Sequence, residues 1–416
     1  MTYGLIGERL GHSFSKRIHT ALFDYDYELK EIPREELHAF MTARAFCAIN
    51  VTIPYKQAVI PYLDEVSDVA RCIGAVNTIV NRDGKLYGDN TDFGGMLALL
   101  DKAGIVLADK NVLILGSGGT SKTALAVAQH GGCARVYRVS RTGENGCITY
   151  EQARAYADTH VIINTTPCGM YPHIGESAID IASFPCLEGV LDAVYNPLRS
   201  KLVCDARESG ITAVGGLYML IAQAVLAAER FVGETVPREA MDELYTSLLR
   251  ETQNVVLIGM PGSGKTTVGH LLADRLGLAF VDTDDEIVKR EGRSIPEIFK
   301  AVGETGFRDI EEAVIREVAT RQGAVIATGG GAILRKQNVD LLKENGRVYF
   351  LDRPLEELIA TKDRPLSSDR EALAQRYRER YDSYCARCDC HVTQTTTPEA
   401  AATYIEEECI REIAGT

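Results

Sequence analysis

The sequence predicts an α/β protein with more than one largely parallel sheet, and three observations carry that prediction. Short apolar runs alternate along the chain with longer stretches of helical spacing. Two of those runs lead directly into glycine-rich turns that open a helix. And 416 residues exceed one ordinary core, since domains usually hold about 100 to 200 residues, so two or three domains are expected.

The strands are expected at Val112 to Leu115, Val161 to Ile163, Val255 to Ile258, Val325 to Ala327 and Val348 to Leu351, with helices on both faces of the sheets they form. The glycine turns are Leu115-Gly-Ser-Gly-Gly and Ile258-Gly-Met-Pro-Gly-Ser-Gly-Lys, so each should head its own sheet. Between them the polar helical stretch Glu239 to Arg250 ends in Glu251-Thr252-Gln253, which places a domain boundary near residue 252. The two turns differ in spacing and in the residues after them, and no internal repeat is seen.

With 45% hydrophobic and 25% charged residues, no Trp and no low-complexity tract, the composition is that of a folded globular protein. A formal net charge of −13 argues against nucleic-acid backbones and anionic membranes as partners, so any bound anion has to be held locally. No apolar run reaches the roughly 18 to 20 residues of a membrane span, and the opening MTYGLIGE lacks a basic segment and cleavage pattern, so a cytoplasmic location is expected. The eleven cysteines, an odd number, suit reduced thiols better than a disulfide framework. One tight group, Cys385, Cys388, Cys390 and His391, has ligand types that suit zinc, but no second pair accompanies it at zinc spacing, and plain thiols are the preferred reading.

Gly116-Ser-Gly118-Gly119-Thr-Ser follows a strand and opens the helical segment Lys122 to His130. Glycines there permit a tight turn and bring a pyrophosphate close to backbone N–H groups at a helix N-terminus. A purely structural helix start would use glycine too. The next strand, Val136 to Val139, runs into Ser140-Arg141-Thr142. An arginine without a carboxylate at that place favours a 2′-phosphate, hence NADP, over the free ribose of NAD. A solvated strand-end charge would look the same. Upstream, Asn50-Val-Thr52-Ile-Pro54-Tyr-Lys56 sets a lysine just past a strand, and Gly88-Asp-Asn90-Thr-Asp92 sets carboxylates just before a helix. Such residues are often surface charges or N-caps. A lysine and an aspartate in mutual reach would suit proton delivery in a carbonyl reduction.

Residues 1 to about 250 resemble shikimate dehydrogenase along their whole length. The motifs that carry the resemblance are Gly11-His-Ser13-Phe-Ser15, Asn50-Val-Thr52-Ile-Pro-Tyr-Lys56, Gly74-Ala-Val-Asn77-Thr, Gly88-Asp-Asn-Thr-Asp92, the glycine loop, Ser140-Arg141-Thr142, Asp192-Ala-Val-Tyr195 and Gly216-Leu-Tyr-Met-Leu-Ile-Ala-Gln223. The resemblance implies a substrate domain from residues 1–100 completed by 216–252, with a Rossmann NADP-binding domain, 101–215, between them. It implies that Ser13, Ser15, Thr52, Asn77, Asp92, Tyr195 and Gln223 bind the substrate and that Lys56 and Asp92 form the catalytic pair. Gly116, Gly118, Gly119, Ser140, Arg141, Thr142 and Gly216 would hold the coenzyme. The family often carries a second arginine four residues after the first, where this chain has Asn145.

Gly259-Met-Pro-Gly262-Ser-Gly264-Lys265-Thr266 fits the GxxxxGK[ST] phosphate loop, with the helical segment Thr267 to Leu276 after it. Backbone N–H groups would cradle the phosphates of ATP, Lys265 would reach the β and γ phosphates, and Thr266 would ligate Mg²⁺. Phe280-Val-Asp282-Thr-Asp284 closes the next expected strand, and in an extended chain that spacing puts both carboxylates on one face. They would then share one site, or be two solvated charges leaving a strand end.

With Gly306-Phe-Arg308, Thr328-Gly329-Gly330-Gly331 and Lys362-Asp-Arg364, these residues resemble shikimate kinase over 254 to roughly 410. The resemblance implies a P-loop NTPase-type (nucleoside monophosphate kinase-like) α/β domain, 253–416. By it Thr266 ligates Mg²⁺ while Asp282 organises the Mg²⁺ shell through water, and Asp284 binds the substrate hydroxyls and helps deprotonate the attacking one. Arg308, Gly330 and Arg380 bind the acceptor, and Gly262, Gly264, Lys265, Thr266, Thr267 and Arg364 hold the nucleotide. Arg364 and Lys265 would act on the transferring phosphoryl group, and Arg380 is preferred over Arg376 and Arg378 for its spacing from Tyr384. The two resemblances together imply an enzyme that reduces 3-dehydroshikimate to shikimate with NADPH and phosphorylates shikimate to shikimate 3-phosphate with ATP and Mg²⁺. The alternatives are a quinate-type or NAD-linked dehydrogenase joined to a related kinase, or one half serving as a binding module.

Overall fold

The computed structural model describes residues 2–10, 14–358, 370–393 and 397–415. It holds three α/β sheets in chain order. By compactness the chain divides into one unit of residues 1–168, 177–195 and 205–245, and a second of 169–176, 196–204 and 246–416. No helix among the described residues is long and apolar enough to cross a membrane.

The first sheet takes β1 (Tyr3–Gly7), β2 (Tyr27–Glu31), β3 (Ala48–Val51), β4 (Glu65–Val66), β5 (Thr78–Arg82) and β6 (Lys85–Asp89) in the order β2-β1-β3-β5-β6-β4. It is mixed, because β5 pairs antiparallel with both β3 and β6. The cause is local. β5 and β6 are joined by Asp83 and Gly84 alone, at φ 52° and 86°, the paired positive φ values of the tight turn that suits strand twist in a hairpin. One face packs on Ile6, Ile49, Val51, Ile79 and Leu86. The opposite face packs Leu5, Tyr27, Ala48 and Val80 against Ala227 and Phe231 of the helix Leu217–Val232.

The second sheet takes β7 (Asn111–Leu115), β8 (Arg135–Ser140), β9 (Ile148–Thr149), β10 (Val161–Asn164), β11 (Gly189–Asp192) and β12 (Thr212–Val214) in the order β12-β11-β10-β7-β8-β9. Every pairing is parallel. That order is the doubly wound dinucleotide-binding one, with its switch point between β7 and β10, where ligands bind beyond the carboxyl ends of the strands. β10 and β11 are buried throughout, and Val112 to Leu115 of β7 likewise, which explains their unbroken apolar runs.

The third sheet takes β13 (Asn254–Ile258), β14 (Ala279–Asp282), β15 (Ala324–Ala327), β16 (Gly346–Leu351) and β17 (Cys390–Val392) in the order β14-β15-β13-β16-β17, all parallel. β13 is central and fully buried, so the phosphate loop leaves from the middle of the sheet. One sequence expectation fails here. Asp282 and Asp284 do not share a strand face, because β14 ends at Asp282 and the helix Thr283–Glu291 begins at once. Asp282 is the N-cap, and its Oδ1 accepts the Asp284 N–H at 2.9 Å. An aspartate outcompetes strand continuation where it satisfies an orphan N–H of a following helix.

The helices Thr91–Ala103 and Leu217–Val232 cross closely because Gly94 and Gly95 carry no side chain. A Cβ on Gly95 would lie 2.8 Å from the Met219 carbonyl oxygen and 2.9 Å from the Gln223 Cβ. Gly95→Ala is therefore expected to push the helices apart, at a cost of about 1–3 kcal/mol. Thermal unfolding of the first unit should then occur several degrees below wild type, with that of the second unit unmoved.

Candidate active sites

In the first unit a lysine and a carboxylate 36 residues apart in sequence meet. Lys56 Nζ lies 2.6 Å from Asp92 Oδ2, with side-chain exposures of 22% and 12%. Lys56 comes from the turn after β3, and Asp92 from the first turn of the helix Thr91–Ala103. Asn77, immediately before β5, donates from Nδ2 to Asp92 Oδ1 at 2.9 Å, so both carboxylate oxygens are engaged. Its own Oδ1 accepts the Thr91 N–H at 2.8 Å. Partly exposed at one end and hydrogen-bonded at the other, the group can hold a substrate oxygen and exchange a proton with it.

Other expected substrate residues have separate supports. Gln223 faces Gly95, one turn along from Asp92, and donates to the Leu220 carbonyl at 2.8 Å. Thr52 is anchored by its N–H to the Ile6 carbonyl at 2.9 Å. Ser15 opens the helix Ser15–Leu22. Tyr195 meets Phe14 edge-on at 6.2 Å, and burial raises its pKa. Ser13 lies outside the described residues.

The loop after β7 has the form a pyrophosphate needs. Gly116 has φ 119°, and a Cβ there would lie 2.5 Å from Thr165 Oγ1. Gly118 and Gly119 open onto free space, and the helix Gly119–His130 has no side-chain cap, which leaves its first N–H groups to an anion. Gly216 has no room for a Cβ, which would strike the Ala193 backbone. Beyond β8, Ser140 Oγ accepts the Gly143 N–H at 3.0 Å, and Arg141 and Thr142 are exposed. Asn145 stands at φ 57°, and its carbonyl accepts from Arg138 Nη2 at 2.7 Å. These residues fit NADP(H).

In the second unit Gly262 and Gly264 take φ 81° and 89°, and the helix Lys265–Leu276 starts without a side-chain cap. Lys265 is buried and folds back on the loop, donating to the carbonyls of Gly259 at 2.9 Å and Met260 at 3.0 Å. Thr266 Oγ1 lies 3.0 Å from Asp282 Oδ2 while Thr267 is exposed, so a hydroxyl and a carboxylate, both hard oxygen donors, stand together beside the loop. The set fits ATP with Mg²⁺.

Facing it is a pocket of charge. Arg308 is buried, with Nη1 2.6 Å from Glu311 Oε2, and its Nε–H is buried without an acceptor among the described residues. The guanidinium occupies the space a Cβ on Gly331 would need. Burial raises the Glu311 pKa, and the Arg308 charge opposes it. Arg380 is buried and donates to the Gly330 carbonyl at 3.0 Å, whereas Arg378 is exposed. Tyr384 places its hydroxyl 2.6 Å from that same carbonyl. Asp284 approaches from the helix Thr283–Glu291, its Oδ1 crowding Gly329. Glu311 was not singled out from sequence, although its place three residues after Arg308 on one helix is the signal for a pair. Thr91 was missed because its backbone N–H and hydroxyl matter only once Asn77 is beside it. Arg364 lies outside the described residues.

All eleven cysteines are free. Among the described residues no group of three or more His, Cys, Asp or Glu is placed to hold a metal. Cys385 and Cys388 pack on the core of the third sheet, and His391 stacks on Phe350 and bonds Asp352 at 2.9 Å.

Comparison with known proteins finds matches to both halves of the chain. The family model for the shikimate dehydrogenase substrate binding domain matches residues 5–79, and that for the shikimate 5′-dehydrogenase C-terminal domain matches 216–244. The shikimate kinase model matches 261–410. A shikimate dehydrogenase (NADP(+)) of Clostridium perfringens is 34% identical over 264 residues, 59% of this chain and 97% of its own. One from Clostridium beijerinckii is 37% identical over 244 residues, 55% of this chain and 90% of its own. Among solved structures, a chorismate mutase/shikimate 5-dehydrogenase fusion protein from Clostridium acetobutylicum superposes with TM-score 0.56 at 37% identity, covering 59% of this chain and 96% of that one. The Thermus thermophilus shikimate 5-dehydrogenase, solved with NADP(H) and shikimate, gives TM-score 0.53 at 30% identity over 58% of this chain and 98% of its own. This chain belongs to the shikimate dehydrogenase family and joins to it, over residues 261–410, a shikimate kinase domain.

Proposed function

We propose that the chain catalyses two consecutive steps: 3-dehydroshikimate, NADPH and a proton give shikimate and NADP⁺, and shikimate with ATP gives shikimate 3-phosphate and ADP. The carrying observation is that each half presents its own chemistry, a 2.6 Å Lys56–Asp92 pair in one and a phosphate loop of Gly264, Lys265 and Thr266 facing Arg308 and Arg380 in the other. The product of the first step is the acceptor of the second.

Bound NADPH supplies the hydride and bound MgATP the γ-phosphoryl group. In the reductase half, Lys56 Nζ holds the substrate oxygen and delivers its proton, while Asp92 fixes the lysine and accepts from a neighbouring substrate hydroxyl. Asn77, Thr52, Gln223, Ser15, Ser13 and Tyr195 surround the acid's carboxylate and hydroxyls. Gly116, Gly118, Gly119 and Gly216 allow the coenzyme's close approach, and Ser140, Arg141 and Thr142 receive its 2′-phosphate. A substrate domain of residues 1–100 and 216–252 and a coenzyme domain of 101–215 follow from these roles.

In the kinase half, residues 253–416, Lys265 leaves the loop carbonyls for the phosphates, and Gly262, Gly264 and Thr267 line the loop around them. Thr266 and Asp282 hold Mg²⁺. Asp284 Oδ takes the proton of the attacking hydroxyl, and Arg308 and Arg380 clamp the acceptor carboxylate through planar guanidinium donors. Arg364 stabilises charge on the transferring group.

Lys56→Ala should lower the reductase kcat by about 10² to 10⁴, and leave phosphorylation of added shikimate intact. Lys265→Ala should do the converse. Either variant abolishing both steps, or neither, defeats the assignment.

The clamp makes a sharper prediction. Arg380→Ala is expected to raise the KM for shikimate in the kinase step by about tenfold or more, in keeping with loss of a charge-assisted hydrogen bond. Arg378→Ala, which alters an exposed side chain two residues away, should leave it within about twofold, as surface charges do. Steady-state kinetics at saturating ATP checks both.

A further inference from the structure

A hydrogen-bond chain runs behind the reductase site, on the face of the first sheet covered by the helix Leu217–Val232. Its far end is Tyr27, 1% exposed, stacked at 4.1 Å on the buried His19 ring. Tyr27 donates to Asn50 Oδ1 at 2.7 Å. Asn50 Nδ2 lies 3.2 Å from Thr78 Oγ1 and 3.3 Å from the Asn77 carbonyl. Thr78 Oγ1 lies 3.0 Å from Asn77 Oδ1. Asn77 Nδ2 then donates to Asp92, which holds Lys56.

Chemistry fixes the direction of every link but the one made by the Thr78 proton. The Asn77 carbonyl accepts and never donates, so the Asn50 amide must turn its NH₂ that way and its oxygen to Tyr27. Thr78 Oγ1 then receives the second Asn50 N–H, and its own proton goes forward to Asn77 Oδ1 or across to Thr91 Oγ1, 3.2 Å away. The Thr91 N–H also points at Asn77 Oδ1. With its oxygen held by these donors, Asn77 is left with its NH₂ toward Asp92. An inverted amide would set an oxygen against the carboxylate and oppose two donors on the other side. Burial raises the Tyr27 pKa well above its ordinary value, which keeps the hydroxyl a donor.

We propose that Thr78, fed by Tyr27 and Asn50, is a positioning residue of the reductase, which sets the Asn77 amide and through it the Lys56–Asp92 pair. The proposal rests on the reading of Lys56 and Asp92 as the catalytic pair. Thr78 is 1% exposed and Val is nearly isosteric, so Thr78→Val removes the hydroxyl with little change of shape.

The test uses the full chain, with kinase activity as an internal measure of folding. Thr78→Val should lower kcat/KM for 3-dehydroshikimate by about tenfold, as loss of one buried hydrogen bond at a reacting centre does. The KM for NADPH should stay within about twofold, and Thr78→Ser should regain most of the loss. In Asn77→Ala, adding Thr78→Val should cost nothing further, because the relay acts through Asn77. Wild-type kinetics in Thr78→Val, no rescue by serine, or losses that add in the double variant would each overturn the proposal. If Thr78→Val fails to fold, Tyr27→Phe replaces it, with a loss again absent in the Asn77→Ala background; normal kinetics there also overturns it. Lys56→Ala run alongside keeps the two ideas apart: an active Lys56→Ala sinks the catalytic pair, whereas an inactive one beside a normal Thr78→Val sinks only the relay.

Discussion

Both halves depend on one constraint: a buried parallel strand must hand the chain to a helix within a few residues, through a turn that leaves backbone N–H groups bare. β7 and β13 are apolar and buried, and each ends at a glycine with positive φ, Gly116 at 119° and Gly259 at 154°. A Cβ would strike Thr165 Oγ1 at the first and the Leu351 carbonyl at the second, so the close approach of neighbouring loops forbids any other residue. The next helix has no side-chain cap in either case, and an anion supplies what the cap would. The same solution holds a dinucleotide in one sheet and a nucleoside triphosphate in the other. A protein of net charge −13 can therefore bind highly charged anions, because the binding charge is carried by local dipoles and a few buried cations.

Those cations are arranged differently in the two halves. In the reductase, Lys56 faces a carboxylate whose second oxygen is held by an amide, and the amide rests on a chain of neutral donors running back through the sheet. Polar groups buried in such a chain are stable because each donor finds an acceptor, and they specify one arrangement because few others satisfy all of them. In the kinase, Arg308 is buried against Glu311, and its Nε–H has no acceptor among the described residues. Holding the pair in place costs desolvation, and the same burial raises the Glu311 pKa.

Legibility in the sequence tracks physical range. The strands at Val112, Val161, Val255, Val325 and Val348 were legible because burial on both faces writes a continuous apolar run, and each appears within two residues of its expected ends. Glycine spacing was legible because Gly116, Gly259, Gly262 and Gly264 take positive φ, which glycine adopts freely. The mixed pairing of the first sheet was not, since the antiparallel β3–β5 pairing joins strands distant in the chain, although Asp83-Gly84 marks the β5–β6 hairpin. The Asp282 and Asp284 spacing misled because a helix cap and a strand end share the same letters, and the outcome turned on one N–H. Residues joined through space, such as Tyr27 against Asn50 and Asn50 against Thr78, leave no mark in a linear reading until the elements that carry them are packed.

Coupled turnover by the intact wild-type protein tests most directly whether one chain carries two complete sites in series. Supplied with 3-dehydroshikimate, NADPH, ATP and Mg²⁺, the protein should form shikimate 3-phosphate, with one NADPH oxidised and one ATP consumed per molecule once the shikimate pool is steady. NADPH oxidation that leaves shikimate unphosphorylated, or ATP turnover on added shikimate without any reduction of 3-dehydroshikimate, would contradict it.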